Sequence, residues 1–154
     1  MLTPDKLLLC HHGTEGAARA EDLAYQIARP GLTTIIHCLI VPELWSGMQG
    51  DDWLNNAATR DTFAKYVETL LEKDAAREFA AVEARCAARG LAYKAVSRFG
   101  DQAECAVAVA AEEGADLVVI GPSRPKGVLG LRSRMDLERL AGNLDCPLLI
   151  AARK

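Results

Sequence analysis

Asp116-Leu117-Val118-Val119-Ile120-Gly121 decides the reading of this chain. Four apolar residues run unbroken between an acid and a glycine. A run of that length without alternation is the pattern of a strand covered on both faces, which in practice means a central strand of a parallel sheet. Lys6-Leu7-Leu8-Leu9-Cys10 repeats the pattern near the start of the chain. Thr33 to Val41 is a third such segment, rich in β-branched residues and closed by Pro42. Leu91 to Arg98 and Pro147 to Ala152 complete a set of five predicted strands.

Helical patterns fill the gaps between the strands. The first runs from the Thr14 N-cap to about Arg29, with Ala17, Ala20, Ala24, Ile27 and Ala28 as its small-residue stripe, and Pro30-Gly31 stops it. The second spans roughly Ala58 to Arg89. Phe63, Val67, Leu70, Leu71, Phe79, Val82 and Cys86 recur there at steps near three and four, and Gly90 follows as a C′ residue. Gly100-Asp101 opens the third, Gln102 to Glu113, with Ala103, Ala106, Val107 and Ala110 inward. A short fourth helix starts at Ser133 or nearby and reaches about Leu144. Strands alternating with helices, and no hairpin turns, predict an α/β three-layer Rossmann-like sandwich. Its five-stranded parallel sheet takes the order 3-2-1-4-5 and carries four main helices. The 154 residues fit one domain, 1–154.

Composition excludes several classes. The chain has 18 Lys+Arg against 21 Asp+Glu, a formal charge of -3, so a general nucleic-acid surface is not expected. No 18-residue apolar run marks a membrane span, and Leu7 to Cys10 is too short for the core of a signal peptide, so the expected location is cytoplasmic. The five cysteines are Cys10, Cys38, Cys86, Cys105 and Cys146. They are odd in number and form no CxxC pair, which predicts free thiols in a reducing compartment.

In a sheet of this order, ligands gather outside the carboxyl ends of the first and fourth strands, where the chain direction switches. Two loops should meet there. His11-His12-Gly13-Thr14-Glu15-Gly16 leads into a helix start whose N–H groups suit an anion, with His12 as a ligand contact. Neighbouring strand residues face opposite ways, so only one of the two histidines faces the crevice. Gly121 to Arg134 carries Arg124, Lys126, Arg132 and Arg134, four of the 18 basic residues within 11 positions. Positive charge, glycines and a helix start together suit phosphate; a solvated surface loop is the alternative. The cofactor-binding candidates are therefore His12, Gly13, Thr14, Gly121, Arg124, Gly127, Ser133 and Arg134.

Other chemistries lack their residues. Gly121 and Gly127 are followed by Val128-Leu129, so GxxxxGK[ST] is absent, and the first loop has Gly13 and Gly16 but no GxGxxG. There is no GxSxG elbow and no HExxH, and no metal site or catalytic residue is assigned. Cys10 beside His11 and Cys38 beside His37 look like thiol-imidazole pairs, but adjacent strand residues point apart, and both cysteines read as core. Residues 42 to 58, with Trp45, Met48 and Trp53, form a long loop that would lid the crevice or pack on a partner.

In their order and spacing, several of these pieces resemble the universal stress protein family over nearly the whole chain. They are Leu7-Leu8-Leu9-Cys10-His11-His12-Gly13-Thr14-Glu15, Thr34-Ile35-Ile36-His37-Cys38 with Val41-Pro42, Ala115 to Gly121, and Cys146-Pro147-Leu148-Leu149-Ile150. The resemblance implies a cytoplasmic homodimer paired through the last strand, with a role in stress tolerance or signalling. Some members of the family bind ATP and others do not. ATP-binding members carry Asp before Gly-Ser or Gly-Thr at the end of the first strand; here that position is His12. Their glycine motif, counted from Gly121, places Arg124 at its second glycine and Arg134-Met135 at its final Gly-Ser or Gly-Thr, with Ser133 just before. Arginine side chains crowd a path that glycines leave open to phosphate, yet they can bind phosphate themselves. The expectation is a non-enzymatic dimeric regulator with a protein partner. The alternatives are an ATP or AMP sensor using an arginine-rich loop, with Mg2+ if the ligand is ATP, and a weak nucleotide hydrolase without an evident base.

Overall fold

The computed structural model describes residues 4–11, 15–41, 73, 75–122 and 136–152. Its strands are β1 (Lys6–His11), β2 (Thr34–Val41), β3 (Ala92–Phe99), β4 (Leu117–Ile120) and β5 (Leu148–Ile150). Its helices are α1 (Glu15–Ile27), α2 (75–88), α3 (Gln102–Glu113) and α4 (Leu137–Asn143). Every strand pair is parallel and the order is β3-β2-β1-β4-β5, as the alternation of patterns predicts.

Period-two alternation sorts the sheet's side chains into two cores. Leu8, Cys10, Ile36, Cys38, Val118 and Ile120 face one way and pack under α3 and α4 with Ala103, Ala106, Val109, Ala110 and Leu140. Leu7, Leu9, Ile35, Leu117 and Val119 face the other way and pack under α1 and α2 with Ala20, Ala24, Val82 and Cys86. Leu7, Leu8, Leu9 and all of β4 are fully buried, which is why their sequences show no polar alternation. Small residues on α1 and α3 let both helices lie close to the sheet.

Local signals set the helix ends. The Asp101 side chain accepts from the Glu104 amide at 2.9 Å and caps α3, and Gly114 closes it in a left-handed conformation (φ 68°) that returns its N–H to Ala110 and Ala111. Buried Thr33 accepts from the Arg29 amide and donates to the Pro4 carbonyl, tying the end of α1 to the entry of β1. Asp116 does the same between strands: one carboxylate oxygen accepts from the amides of Asp5 and Lys6, both at 3.0 Å. Asp116→Ala is expected to lower stability by about 1 kcal/mol and Asp116→Asn by less, since the amide keeps one acceptor. Urea unfolding checks this, and unchanged midpoints would remove Asp116 as a clamp.

Some sequence expectations need correction. Val109 joins the buried face of α3 as well, because a helix of this phase buries positions 102, 103, 106, 109 and 110, while Val107 packs against the same core partly buried. The fourth helix begins after Asp136, whose carboxylate accepts from the Arg139 amide, rather than near Ser133. The first helix ends at Ile27, short of Arg29. The Thr14 cap, the 42–58 loop with Trp45, Met48 and Trp53, and the first part of the second helix with Phe63, Val67, Leu70 and Leu71 lie outside the described residues.

Candidate functional site

The division of helices between the two faces creates a switch point. α1 leaves β1 on one face of the sheet, whereas α4 follows β4 on the other. Strands β1 and β4 are direct neighbours, with Leu7, Leu8 and Leu9 opposite Leu117, Val118 and Val119. Their carboxyl ends therefore open a crevice where the connections diverge, the position at which doubly wound sheets receive ligands. His11 closes β1 at this end, and buried Gly121 and half-buried Pro122 follow Ile120.

Of the sequence-predicted contacts, Gly121 is placed at the mouth of this crevice, next to the end of β4. His12, Gly13, Thr14, Arg124, Gly127, Ser133 and Arg134 lie outside the described residues. The described flanks of the first loop are β1 and α1, and those of the second are β4 and α4.

A second concavity, of 280 Å³, lies between α3 and α4 and is lined by Ala103, Glu104, Val107, Ala108, Arg139 and Asn143. Arg139 is its one cation, and it pairs with Glu104 and with Asp101, the latter at 3.8 Å. That guanidinium is already compensated, so the groove offers an apolar floor rather than an anion site. Among the described residues, no cluster of three or more His, Cys, Asp or Glu side chains is placed to hold a metal ion.

Buried thiols and a buried imidazole lie on opposite faces of the β1–β2 pair. Cys10 and Cys38 are opposite each other in the β1–β2 register, both fully buried on the α3 face. The neighbouring Cys38 thiol, together with burial, pushes Cys10 well up, while the neighbouring Cys10 thiol holds Cys38 below the ordinary thiol range with help from Arg98. His37 points to the opposite face, where its Nδ1 is 2.8 Å from the Tyr93 hydroxyl and Phe79 of α2 packs edge-on at 5.1 Å. Cys38 thus does not meet its sequence neighbour His37, as strand geometry requires. Sequence reasoning missed two pairings. One is Cys10 with Cys38, legible only once the register was known. The other joins Glu21, Tyr25 and Arg85: Arg85 binds buried Glu21 through both carboxylate oxygens, and Tyr25 donates to the same carboxylate at 2.7 Å.

The chain is similar in structure to hypothetical protein MJ0577, at a TM-score of 0.77 and 18% identity, covering 99% of each chain. It is similar to a universal stress protein in complex with cAMP, at 0.64 and 16%, covering 99% of this chain and 100% of the other. It is also similar to a universal stress protein family protein from Arabidopsis thaliana with AMP bound, at 0.62 and 13%, covering 98% and 93%. These likenesses speak to the fold. No curated protein matches the chain. The model of the universal stress protein family matches residues 4–152, from the residues before β1 to those after β5. With that match spanning the whole described sheet, the chain belongs to the universal stress protein family.

Proposed function

We propose that the chain is a non-enzymatic stress-response regulator of the cytoplasm that works as a homodimer through β5 and acts on a protein partner. The observation that carries the dimer is the position of β5. It lies at one end of the sheet order, pairs on one side with β4, and leaves Ile150 43% exposed. An apolar edge strand is a pairing surface unless something covers it. At three residues it is short, so the contact rests on side chains as much as on backbone bonds. Among the described residues no helix is long and apolar enough to cross a membrane. Light scattering on the eluting protein is expected to give twice the mass of the chain, and Ile150→Lys to give the single chain. A wild-type monomer at micromolar concentration would overturn the dimer.

A second reading is favoured by the crevice between β1 and β4: an adenine-nucleotide sensor whose phosphates are held by side chains of the arginine-rich segment. Supporting it are Gly121 at the crevice mouth, the four basic residues that follow Pro122 in sequence, and the nucleotides named for two of the similar structures. His12, Gly13, Thr14, Arg124, Gly127, Ser133 and Arg134 are its proposed contacts. Calorimetric titration with AMP, and with ATP in the presence and absence of Mg2+, tests it on protein freed of carried-over nucleotide. Micromolar binding that weakens about tenfold in Arg124→Ala, as loss of one charge-assisted hydrogen bond predicts, supports the sensor. Absence of heat with all three leaves the regulator without a nucleotide.

A further inference from the structure

A buried cysteine is ordinarily an inert core residue, and one alone suggests nothing. Cys10 and Cys38 are different because they form a pair. They occupy facing positions on adjacent central strands, with both side chains on the α3 face of the sheet. Neighbouring strands run about 4.8 Å apart. That spacing falls inside the range of about 4.4–6.8 Å that a disulfide spans between α-carbons. Each thiol is the other's strongest electrostatic neighbour. A positive charge acts on the pair as well: the Arg98 guanidinium, 42% exposed and paired with Glu112, lies within electrostatic reach of Cys38. Partly exposed Cys105, in the first half of α3, packs against the same cluster.

We propose that Cys10 and Cys38 form a modification site: a buried dithiol that hydroperoxides convert to an intramolecular disulfide joining β1 to β2. The Cys38 thiolate is the attacking group. Its sulfur takes the outer oxygen of the hydroperoxide, an S–O bond forms, the O–O bond breaks, and the alkoxide or hydroxide leaves as alcohol or water. The Cys10 sulfur then displaces hydroxide from the Cys38 sulfenic acid. The S–S bond forms, and the Cys10 proton departs with the hydroxide as water. Two thiols and one hydroperoxide give one disulfide, one alcohol or water, and one water. The two electrons come from the sulfurs. The facing register serves the second step by holding Cys10 beside the oxidised Cys38. The link would staple β1 to β2 at the end of the sheet where β1 leads into the ligand crevice. The site belongs to the protein whether or not a nucleotide binds there.

Tryptic mapping resolves the pair without ambiguity. Cys10 falls in peptide 7–19, Cys38 in 20–60 because Arg29 precedes a proline, and Cys105 in 99–126 because Arg124 does. The folded wild-type protein is treated with hydrogen peroxide, alkylated under denaturing conditions, digested, and weighed by mass spectrometry with and without reductant. Expected is a species joining 7–19 to 20–60, lighter than the two peptides by two hydrogens and restored to free thiols by dithiothreitol. It should be lost in Cys10→Ser and Cys38→Ser, kept in Cys105→Ser, and formed several-fold more slowly in Arg98→Gln. Cys10 and Cys38 both recovered as alkylated thiols would overturn the proposal. So would a link from either to the Cys105 peptide in their place. Both readouts use wild-type protein, so a cysteine variant that fails to fold leaves the proposal open to refutation.

Discussion

Leu140→Ala lowers the unfolding free energy by about 3 kcal/mol, within the range for deleting a fully buried leucine. Leu140 is the one buried side chain of α4, and the helix is only seven residues long. A helix of that length has little stability of its own, so its place on the sheet depends on tertiary contact. Around Leu140 the partly buried Leu137 and Leu144 pack against the same core, and the polar attachments are the Asp136 cap and the pairing of Arg139 with Glu104 and Asp101, at exposed positions. Exposed ion pairs of this kind are worth roughly 0–1 kcal/mol. The apolar contact therefore dominates, and Arg139→Ala is expected to shift stability by a small fraction of the Leu140→Ala effect. Chemical denaturation gives the global value. Amide exchange should show α4 opening first, with the β1 and β4 amides retaining protection. If Leu140→Ala costs under 1 kcal/mol, α4 is not held through its apolar face.

Glu21→Ala has the next largest expected effect, a loss of about 2 kcal/mol. Glu21 is buried on α1, receives Arg85 of α2 through both oxygens, and accepts from Tyr25. Removing one partner of a wholly buried pair costs about 3–5 kcal/mol. Here the Arg85 side chain is 44% exposed, so water recovers part of its solvation and the cost is smaller. The substitution also strands the Tyr25 hydroxyl. Replacing both partners by apolar residues, Glu21→Leu with Arg85→Met, is expected to regain most of the loss, because no buried charge is left alone. A double variant no more stable than Glu21→Ala would assign the effect to packing rather than charge.

The same cluster carries a pH dependence. Burial, then the hydrogen bond to Glu21, push the Tyr25 phenol above its ordinary range, and burial does the same to Tyr93. A phenol with a raised folded-state value keeps its proton while the unfolded chain loses one. Its contribution is fully present below about pH 10 and falls as pH rises beyond that. Tyr25→Phe should therefore flatten part of the alkaline fall in stability, measured as denaturation midpoints from pH 8 to 11. An unchanged slope would mean that Tyr25 ionises alike in both states.

Much of the fold was legible in the residues because each element carried its own local signal. Unbroken apolar runs at Leu7 to Cys10 and Leu117 to Ile120 mark buried parallel strands, since only a strand covered on both faces dispenses with polar alternation. Asp101 and Gly114 mark the ends of α3 through capping chemistry that needs nothing beyond the adjacent turn. Alternation of strand and helix, with right-handed crossovers, then restricts the sheet order, and the order places the crevice. The start of α4 was less legible, because Ser133 and Asp136 are both competent caps and the choice depends on where Leu140 meets the sheet.

By itself the sequence pointed to the class of fold, the five strands, an expected strand order, the family, and the separation of Cys38 from His37. The strands follow from periodicity, the order from the usual arrangement of such a sheet, and the family from the resemblance of motifs in their order along the chain. Only the tertiary structure decided which distant residues share a face and a register. Cys10 meets Cys38 because β1 and β2 align at that step. Glu21 meets Arg85 because α1 and α2 lie on the same side of the sheet. Pairings of this kind are set by the packing of whole elements, with one pair 28 positions apart and the other 64, and no local pattern encodes them.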